Sequence, residues 1–459
     1  MACIAATTHA TVPEVNGPCV QLSAGRRMHQ YDRERHDDRR GRMTAETPVS
    51  IADVEAARDR LAEIVHRTPL DRSTTFAEMS GARSVGSKLE NTQRTGSFKI
   101  RGAYNCMAQL AEAQRERGVI AASAGNHAQG VALAGDLLGI EATIVVPEIT
   151  PASKIAATRG YGAEVVVEGD IYERSYEHAL DLAEREDLEF VHPFDDERVI
   201  AGQGTVGLEL FEQYPELDTV LVAISGGGLI GGIATALKAQ DRDIRVLGVQ
   251  PEGAAHAGRS LENNEIYERE TVDTVADGIA DTRLLETTFE TMRGRVDGVV
   301  TVSDSGIAAA VALLAERAKT VVEPAGAAPL AALLSGAAEF EDEDVAVVLS
   351  GGNADLSDHA DLVRQGLIEL GRYATPRLAV EDRTRIGTIA KRVAEDGVKL
   401  ADVRTGRRAP GDDPNRKVVE VGIEGSSPEH LRAVLDALEA LEGVCVVDRG
   451  LETDPVFGR

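Results

Sequence analysis

The sequence is short of several things, and each shortage removes a class of protein. No window of the 459 residues holds about 18 unbroken apolar residues, so a membrane-spanning helix is not expected. The four cysteines, Cys3, Cys19, Cys106 and Cys445, lie far apart and form no CxxC pair. That argues against a zinc site and a disulfide framework, and suits a reducing cytoplasm. Basic residues are outnumbered, 49 against 76 acids, for a formal net charge of −27. Nucleic acid, whose phosphates need a basic surface, is therefore not an expected partner. Lysine is the rarer cation, eight against forty-one arginines. Few lysines, many arginines and acid spread along the chain favour a salt-rich cytoplasm, where ions screen the self-repulsion. An acidic, GC-rich proteome is the plainer explanation of the same residues.

What is present is ordinary for a soluble globular chain: 43% hydrophobic residues and length for two or three domains. Residues 1–43 stand apart. "RRMHQYDRERHDDRRGR" is charged without apolar periodicity, and nothing before it forms a signal-peptide core. A disordered extension is expected there, or an over-long start with the true beginning at Met43.

From Ser50, a candidate N-cap, "SIADVEAARDRLAEIV" has helical spacing. Strand-like runs then alternate with helical ones. "GVIAAS" precedes "NHAQGVALAGDLLG", "ATIVVP" precedes "PASKIAATRGYG", "AEVVVEG" precedes "DIYERSYEHALDLAERE", and "TVLVAIS" precedes "GLIGGIATALKAQ". The alternation predicts parallel sheets covered on both faces, with length for two. Ligands should then bind at the carboxyl ends of the strands. After "GRYATP", near 371–375, the order becomes β-α-β-β-α-β, a ferredoxin-like unit with "RRAPGDDPNRK" as its central loop.

Four stretches carry chemistry. "SGGGLIGG", 225–232, lies between a predicted strand and helix, where bare backbone and free N–H groups suit a phosphate. It also satisfies G-x-G-x-x-G from Gly226 to Gly231, but Gln250 replaces the acid a dinucleotide ribose needs. "SAGNHAQG", 123–130, starts another helix, suiting a carboxylate or ring hydroxyl. There Ser123 and Asn126 alone would be ordinary caps, and His127 alone a packed histidine. "LSGGN", 349–353, puts Ser350 at a strand tip. "GSFKIRG", 96–102, spends a scarce lysine, Lys99, beside Phe98, with Arg101 close by.

Together these stretches, with "LENTQRTGSFKIRGAYN", "VIAGQGTVGLE", "ADGIA" and "VVEPAGAAPLAALLSG", resemble threonine dehydratase (threonine ammonia-lyase) over about residues 50–370. The resemblance implies an α/β fold: two parallel-sheet lobes of the tryptophan-synthase-β type, binding pyridoxal 5'-phosphate in residues 44–371. Residues 372–459 are similar, mainly in topology, to an ACT-like regulatory domain. By resemblance Lys99 forms a Schiff base with the cofactor aldehyde, and Phe98 shields it. Ser225, Gly226, Gly227, Gly228 and the N–H of Leu229 would hold the phosphate. Asn126 would bond the ring hydroxyl, and Ser350 would face the pyridine nitrogen. A serine holds no proton there as an aspartate would, which favours β-elimination over transamination.

The implied reaction turns L-threonine into 2-oxobutyrate and ammonia, with L-serine as a second substrate. Lys99 would act as general base, and Ser123, Asn126 and His127 would bind the substrate carboxylate. Glu323 would lie at the cofactor edge, or be a structural acid before a proline. Racemases of the same fold place a serine where Ala124 stands; alanine has no proton to give, so a lyase is expected before a racemase. The metal site of some relatives uses an acid where this chain has Gln250, so no metal is expected; Glu252 and Asp277 are nearby acids without diagnostic spacing. A homo-oligomer, dimer or tetramer, is expected. So is a branched-chain amino-acid effector, isoleucine or valine, at "DRTRIG", 382–387. The alternative there is a dimerisation unit with no ligand. A non-catalytic amino-acid sensor is the remaining reading of the whole, opposed by the intact lysine and glycine run.

Overall fold

The described part of the chain begins just before a capped helix. In this computed structural model residues 47–406, 413, 415–451 and 456–457 are described. Residues 1–43, with Cys3 and Cys19, and most of the loop 407–417 lie outside them. Ser50 caps the helix Ile51–Leu61, accepting from the Asp53 N–H while the Asp53 carboxylate accepts from the Ser50 N–H. The helix stops before Val65: Ala62 leaves helical geometry at ψ 132°, and the N–H groups of Ile64 and Val65 turn back to the Leu61 carbonyl.

The expected alternation builds two sheets. The larger runs β1 (Leu70–Arg72), β2 (Ser84–Lys88), β10 (Asp344–Val348), β7 (Thr219–Ala223), β8 (Arg245–Pro251), β9 (Gly298–Val302). It is parallel except for β1, which pairs antiparallel with β2 at the edge. The smaller, all parallel, runs β5 (Glu164–Val167), β4 (Ala142–Val146), β3 (Val119–Ala122), β6 (Glu189–Phe190). Central strands β7 and β10 are buried at every position, because helices cover both faces. The fold is thus the two-lobed α/β arrangement expected from the sequence.

A third sheet follows in β-α-β-β-α-β order. Its strands are β12 (Arg377–Val380), β13 (Lys399–Thr405), β14 (Lys417–Glu424) and β15 (Val444–Asp448), with the short β11 (Tyr373–Ala374) in line before β12. β14 pairs with β13 on one side and with β11 and β12 on the other, and β12 pairs with β15. All pairings are antiparallel, the ferredoxin-like order. The helices Arg385–Glu395 and Pro428–Glu439 bury Ile389, Val393, Leu431, Val434, Leu435 and Leu438 against it. Among the described residues no helix is long and apolar enough to cross a membrane.

Candidate active site

The site lies where strand ends of the two lobes face each other. A cavity of about 1060 Å³ is lined by Phe98, Lys99, Ser123, Ala124, Asn126, His127, Ser225 to Leu229, Asp281, Glu323, Ser350 and Asn353. Every residue singled out as cofactor- or substrate-binding from the sequence therefore meets in one place. They come from chain segments more than 200 residues apart, so only the fold brings them together.

Lys99 opens the helix Lys99–Met107. The turn before it is left-handed twice, at Thr95 (φ 63°) and Gly96 (φ 72°). A Cβ on Gly96 would lie 2.4 Å from Oδ1 of Asn353, so glycine is required by conformation and by space. Asn353 fixes the turn by donating to the Thr95 carbonyl at 2.6 Å. The Lys99 amine donates to the Pro193 carbonyl at 2.8 Å and stands 5.2 Å from the centre of the Phe98 ring. Desolvation lowers its pKa to about 8, against the pull of the Asp281 and Glu323 carboxylates, which favour the cation. An amine so tuned is partly neutral near physiological pH, as a nucleophile or base must be.

Arg101, two residues on, does not face the cavity. Its guanidinium is fully buried and forks onto Glu90 at 2.8 and 2.8 Å and onto Glu209 at 2.7 and 3.1 Å. Lys88, also fully buried, adds a bond to Glu209 at 2.5 Å. Two cations and two carboxylates balance behind the lysine helix.

Opposite Lys99, Ser225 to Leu229 lead from β7 into the helix Gly228–Gln240. Gly227 has φ +91°, open to glycine at little cost, and a Cβ on Gly226 would strike the Phe194 ring at 2.3 Å. The turn is therefore closely packed and leaves backbone N–H groups facing the cavity. The Asp281 carboxyl accepts from the Ser225 hydroxyl, and desolvation raises its pKa above the ordinary carboxyl range.

The third wall is the start of the helix Asn126–Leu138. Asn126 donates to Glu323 at 2.7 Å and accepts from Asn353 at 2.7 Å, so its amide is oriented from both sides. Desolvation raises the Glu323 carboxyl above its ordinary range, opposed first by that bond. His127 meets the cavity as a neutral ring: burial pushes its pKa down to about 3, and Nε2 bonds the Val191 carbonyl at 2.9 Å. The ring brings no positive charge to a carboxylate; backbone N–H groups at the helix start remain for one. Ser350 is 5% exposed, and its carbonyl accepts from the Phe98 N–H at 3.1 Å, joining the β10 tip to the lysine turn.

Gln250 stands at the end of β8 with its side-chain oxygen accepting from the His256 and Ala257 N–H groups at 3.0 and 2.8 Å. It caps a helix where a metal ligand was in question. Among the described residues no group of three acids, histidines or cysteines is placed to hold a metal. The sequence reading did not single out Asp281, Asn353 or Pro193. Asn353 ended the quoted "LSGGN", and Asp281 directly follows "ADGIA". Each acts through a loop whose facing partner only the fold identifies.

A desolvated amine on one wall and, on the other, a glycine turn that opens a helix fit a phosphorylated aldehyde. The model of the family described as pyridoxal-phosphate dependent enzymes matches residues 61–351. An L-threonine ammonia-lyase of Thermotoga maritima is 41% identical over 387 residues, 84% of this chain and 96% of that one. That stretch is longer than residues 1–371, so it reaches the terminal sheet. Among solved structures, the processed form of threonine deaminase isoform 2 from Solanum lycopersicum is 36% identical with TM-score 0.65, over 68% of this chain and 91% of that one. Maize serine racemase is 39% identical with TM-score 0.66, over 68% and 96%. The chain belongs to the pyridoxal-phosphate dependent enzymes, with pyridoxal phosphate as its cofactor.

Proposed function

We propose that the chain is a threonine ammonia-lyase, converting L-threonine to 2-oxobutyrate and ammonia and accepting L-serine as a second substrate. The observation that carries this is the Lys99 amine, held in the cavity with its pKa lowered to about 8 and facing the glycine turn. The 41% identity to an L-threonine ammonia-lyase supports the same reading. The cofactor, when bound, supplies an aldehyde and a ring that takes up electrons from the substrate Cα. Ser225, Gly226, Gly227, Gly228 and Leu229 would hold its phosphate, Phe98 would shield the cofactor, Ser350 would face the pyridine nitrogen, and Asn126 would bond the ring hydroxyl. Lys99 withdraws the Cα proton and holds it at Nζ while the β-hydroxyl departs. Ser123 and the first N–H groups of the helix Asn126–Leu138 hold the carboxylate. Glu323 orients Asn126.

The test is 2-oxobutyrate release from L-threonine. Lys99→Ala should lower it by about a thousandfold or more, and borohydride reduction of the loaded protein should fix the cofactor on Lys99. Wild-type rates in that variant, or labelling elsewhere, would end the assignment. A racemase is the second reading, favoured by the 39% identity to maize serine racemase and opposed by Ala124 on the cavity wall. Ala124→Ser should raise D-isomer formation measured by chiral chromatography; equal D-isomer yield from both proteins would remove Ala124 as the discriminator.

Residues 44–371 form the catalytic domain in this proposal and 372–459 an ACT-like regulatory domain answering to isoleucine or valine. The enzyme works as a homo-oligomer, a dimer or tetramer, in a salt-rich cytoplasm. The ferredoxin-like order of the terminal sheet supports the second domain. In the proposed ligand loop, Asp382 accepts from the Thr384 N–H at 2.7 Å, and the helix Arg385–Glu395 follows.

A further inference from the structure

A carboxyl of the chain itself sits in the glycine turn. Asp281 follows the 3-10 turn Asp277–Ile279 and lines the same cavity as Lys99 and Gly226–Gly228. Its carboxyl takes the Ser225 hydroxyl, a donor assigned above to the cofactor phosphate. Glu323 stands on the third wall, hydrogen-bonded to Asn126, and Lys99 is the cation the two acids act upon. A phosphate dianion and the Asp281 carboxyl cannot both take the Ser225 hydroxyl, and any negative charge on that carboxyl would repel the dianion strongly in a desolvated cavity.

We propose that Asp281 is an internal plug: its carboxyl occupies the Ser225 side of the phosphate cradle, and loading requires the side chain to leave Ser225. The inference rests on the glycine turn being the phosphate site. It makes Asp281 a determinant of cofactor affinity that takes no part in the chemistry on substrate. Displacing the plug gives up the Ser225 bond, so the phosphate gains less net affinity than an unplugged turn would give.

The experiment compares wild type with Asp281→Asn and Asp281→Ala, each stripped of cofactor. Affinities for pyridoxal phosphate, for pyridoxal and for inorganic phosphate are read by tyrosine fluorescence and calorimetry. Both variants should bind pyridoxal phosphate and inorganic phosphate about ten-fold tighter or more, with pyridoxal changed by no more than about two-fold. Equal or weaker phosphate affinity in both variants, with wild type still binding, overturns the plug and leaves the cradle standing. Failure of all three proteins to bind either phosphate compound overturns both. A crystal structure of the loaded wild type checks the native chain directly. Asp281 turned away from Ser225 with phosphate on the Gly226 N–H supports the plug; Asp281 still on Ser225 beside a bound phosphate overturns it.

Discussion

At the scale of single residues, two lysines show what scarcity does and does not reveal. Lys88 and Lys99 are both drawn from a set of eight, and Lys88 is the more deeply buried. Scarcity alone could not choose between them. The Gly-Ser turn could, because Gly96 carries a left-handed φ that Lys88, inside a strand, has no use for. Histidine offers a sharper test. His256 is fully buried, neither ring nitrogen has a hydrogen-bond partner, and burial lowers its pKa to about 4, with Arg269 adding to the shift. The unfolded imidazole takes up a proton near its ordinary pKa of 6.5, which the folded ring refuses until about 4. Folded stability therefore falls as pH falls through that window and is unaffected by this group above it. His256→Leu should be near neutral at pH 7 and should lose about 2 kcal/mol less than wild type between pH 7 and pH 5, read from urea midpoints. Parallel losses in the two proteins would show that His256 is not the group being titrated.

At the scale of elements, the lysine helix is positioned by charge as well as by packing. Arg101 joins the turn carrying Glu90 to the helix Glu197–Gln213 carrying Glu209, and Lys88 closes the cluster from β2. Arg101→Met should cost about 3–5 kcal/mol in urea denaturation, because it strands a fully buried Glu90 and leaves Lys88 alone to balance two carboxylates. Arg101→Lys should recover little, since an ammonium cannot fork onto two carboxylates at once. Full stability in the methionine variant would show that the cluster relaxes freely. None of this was visible in the sequence. Glu209 sits in "GLELFEQ" as a surface acid would, and of Arg101 the sequence shows only that it lies two residues from Lys99. The strands, the helices and the glycine turn were legible because each is written in local periodicity or backbone freedom. The cluster, the Asn353–Asn126–Glu323 chain and Asp281 were not, because each depends on which loops the two lobes turn toward each other.

At the scale of the whole molecule, the terminal unit is tied to the site by one short route. Arg372, just before β11, donates to both Glu316 oxygens at 2.7 and 2.8 Å, and holds that carboxyl below its ordinary range. Glu316 lies in the π-helical turn Leu314–Ala318, an under-wound piece of backbone of the sort that often marks a functional site. The turn ends at Lys319 with φ 56°, and four residues later Glu323 reaches Asn126 in the cavity. At its far end the terminal unit returns as well: the Val456 N–H bonds the Glu369 carbonyl at 3.0 Å, and Phe457 packs on the catalytic core. An effector on the terminal unit can alter threonine binding only by favouring one arrangement of such contacts over another. The Arg372–Glu316 pair is partly exposed and worth about 1 kcal/mol, too little to hold the fold but comparable to the lower end of allosteric coupling. Arg372→Ala should therefore keep basal turnover within about two-fold while cutting any isoleucine-induced shift in the half-saturating threonine concentration by roughly five-fold. The comparison is of rate against threonine, with and without isoleucine, in both proteins at high salt. An undiminished isoleucine shift in the variant would mean the signal travels by another contact, and no shift in wild type would mean that isoleucine is not the effector.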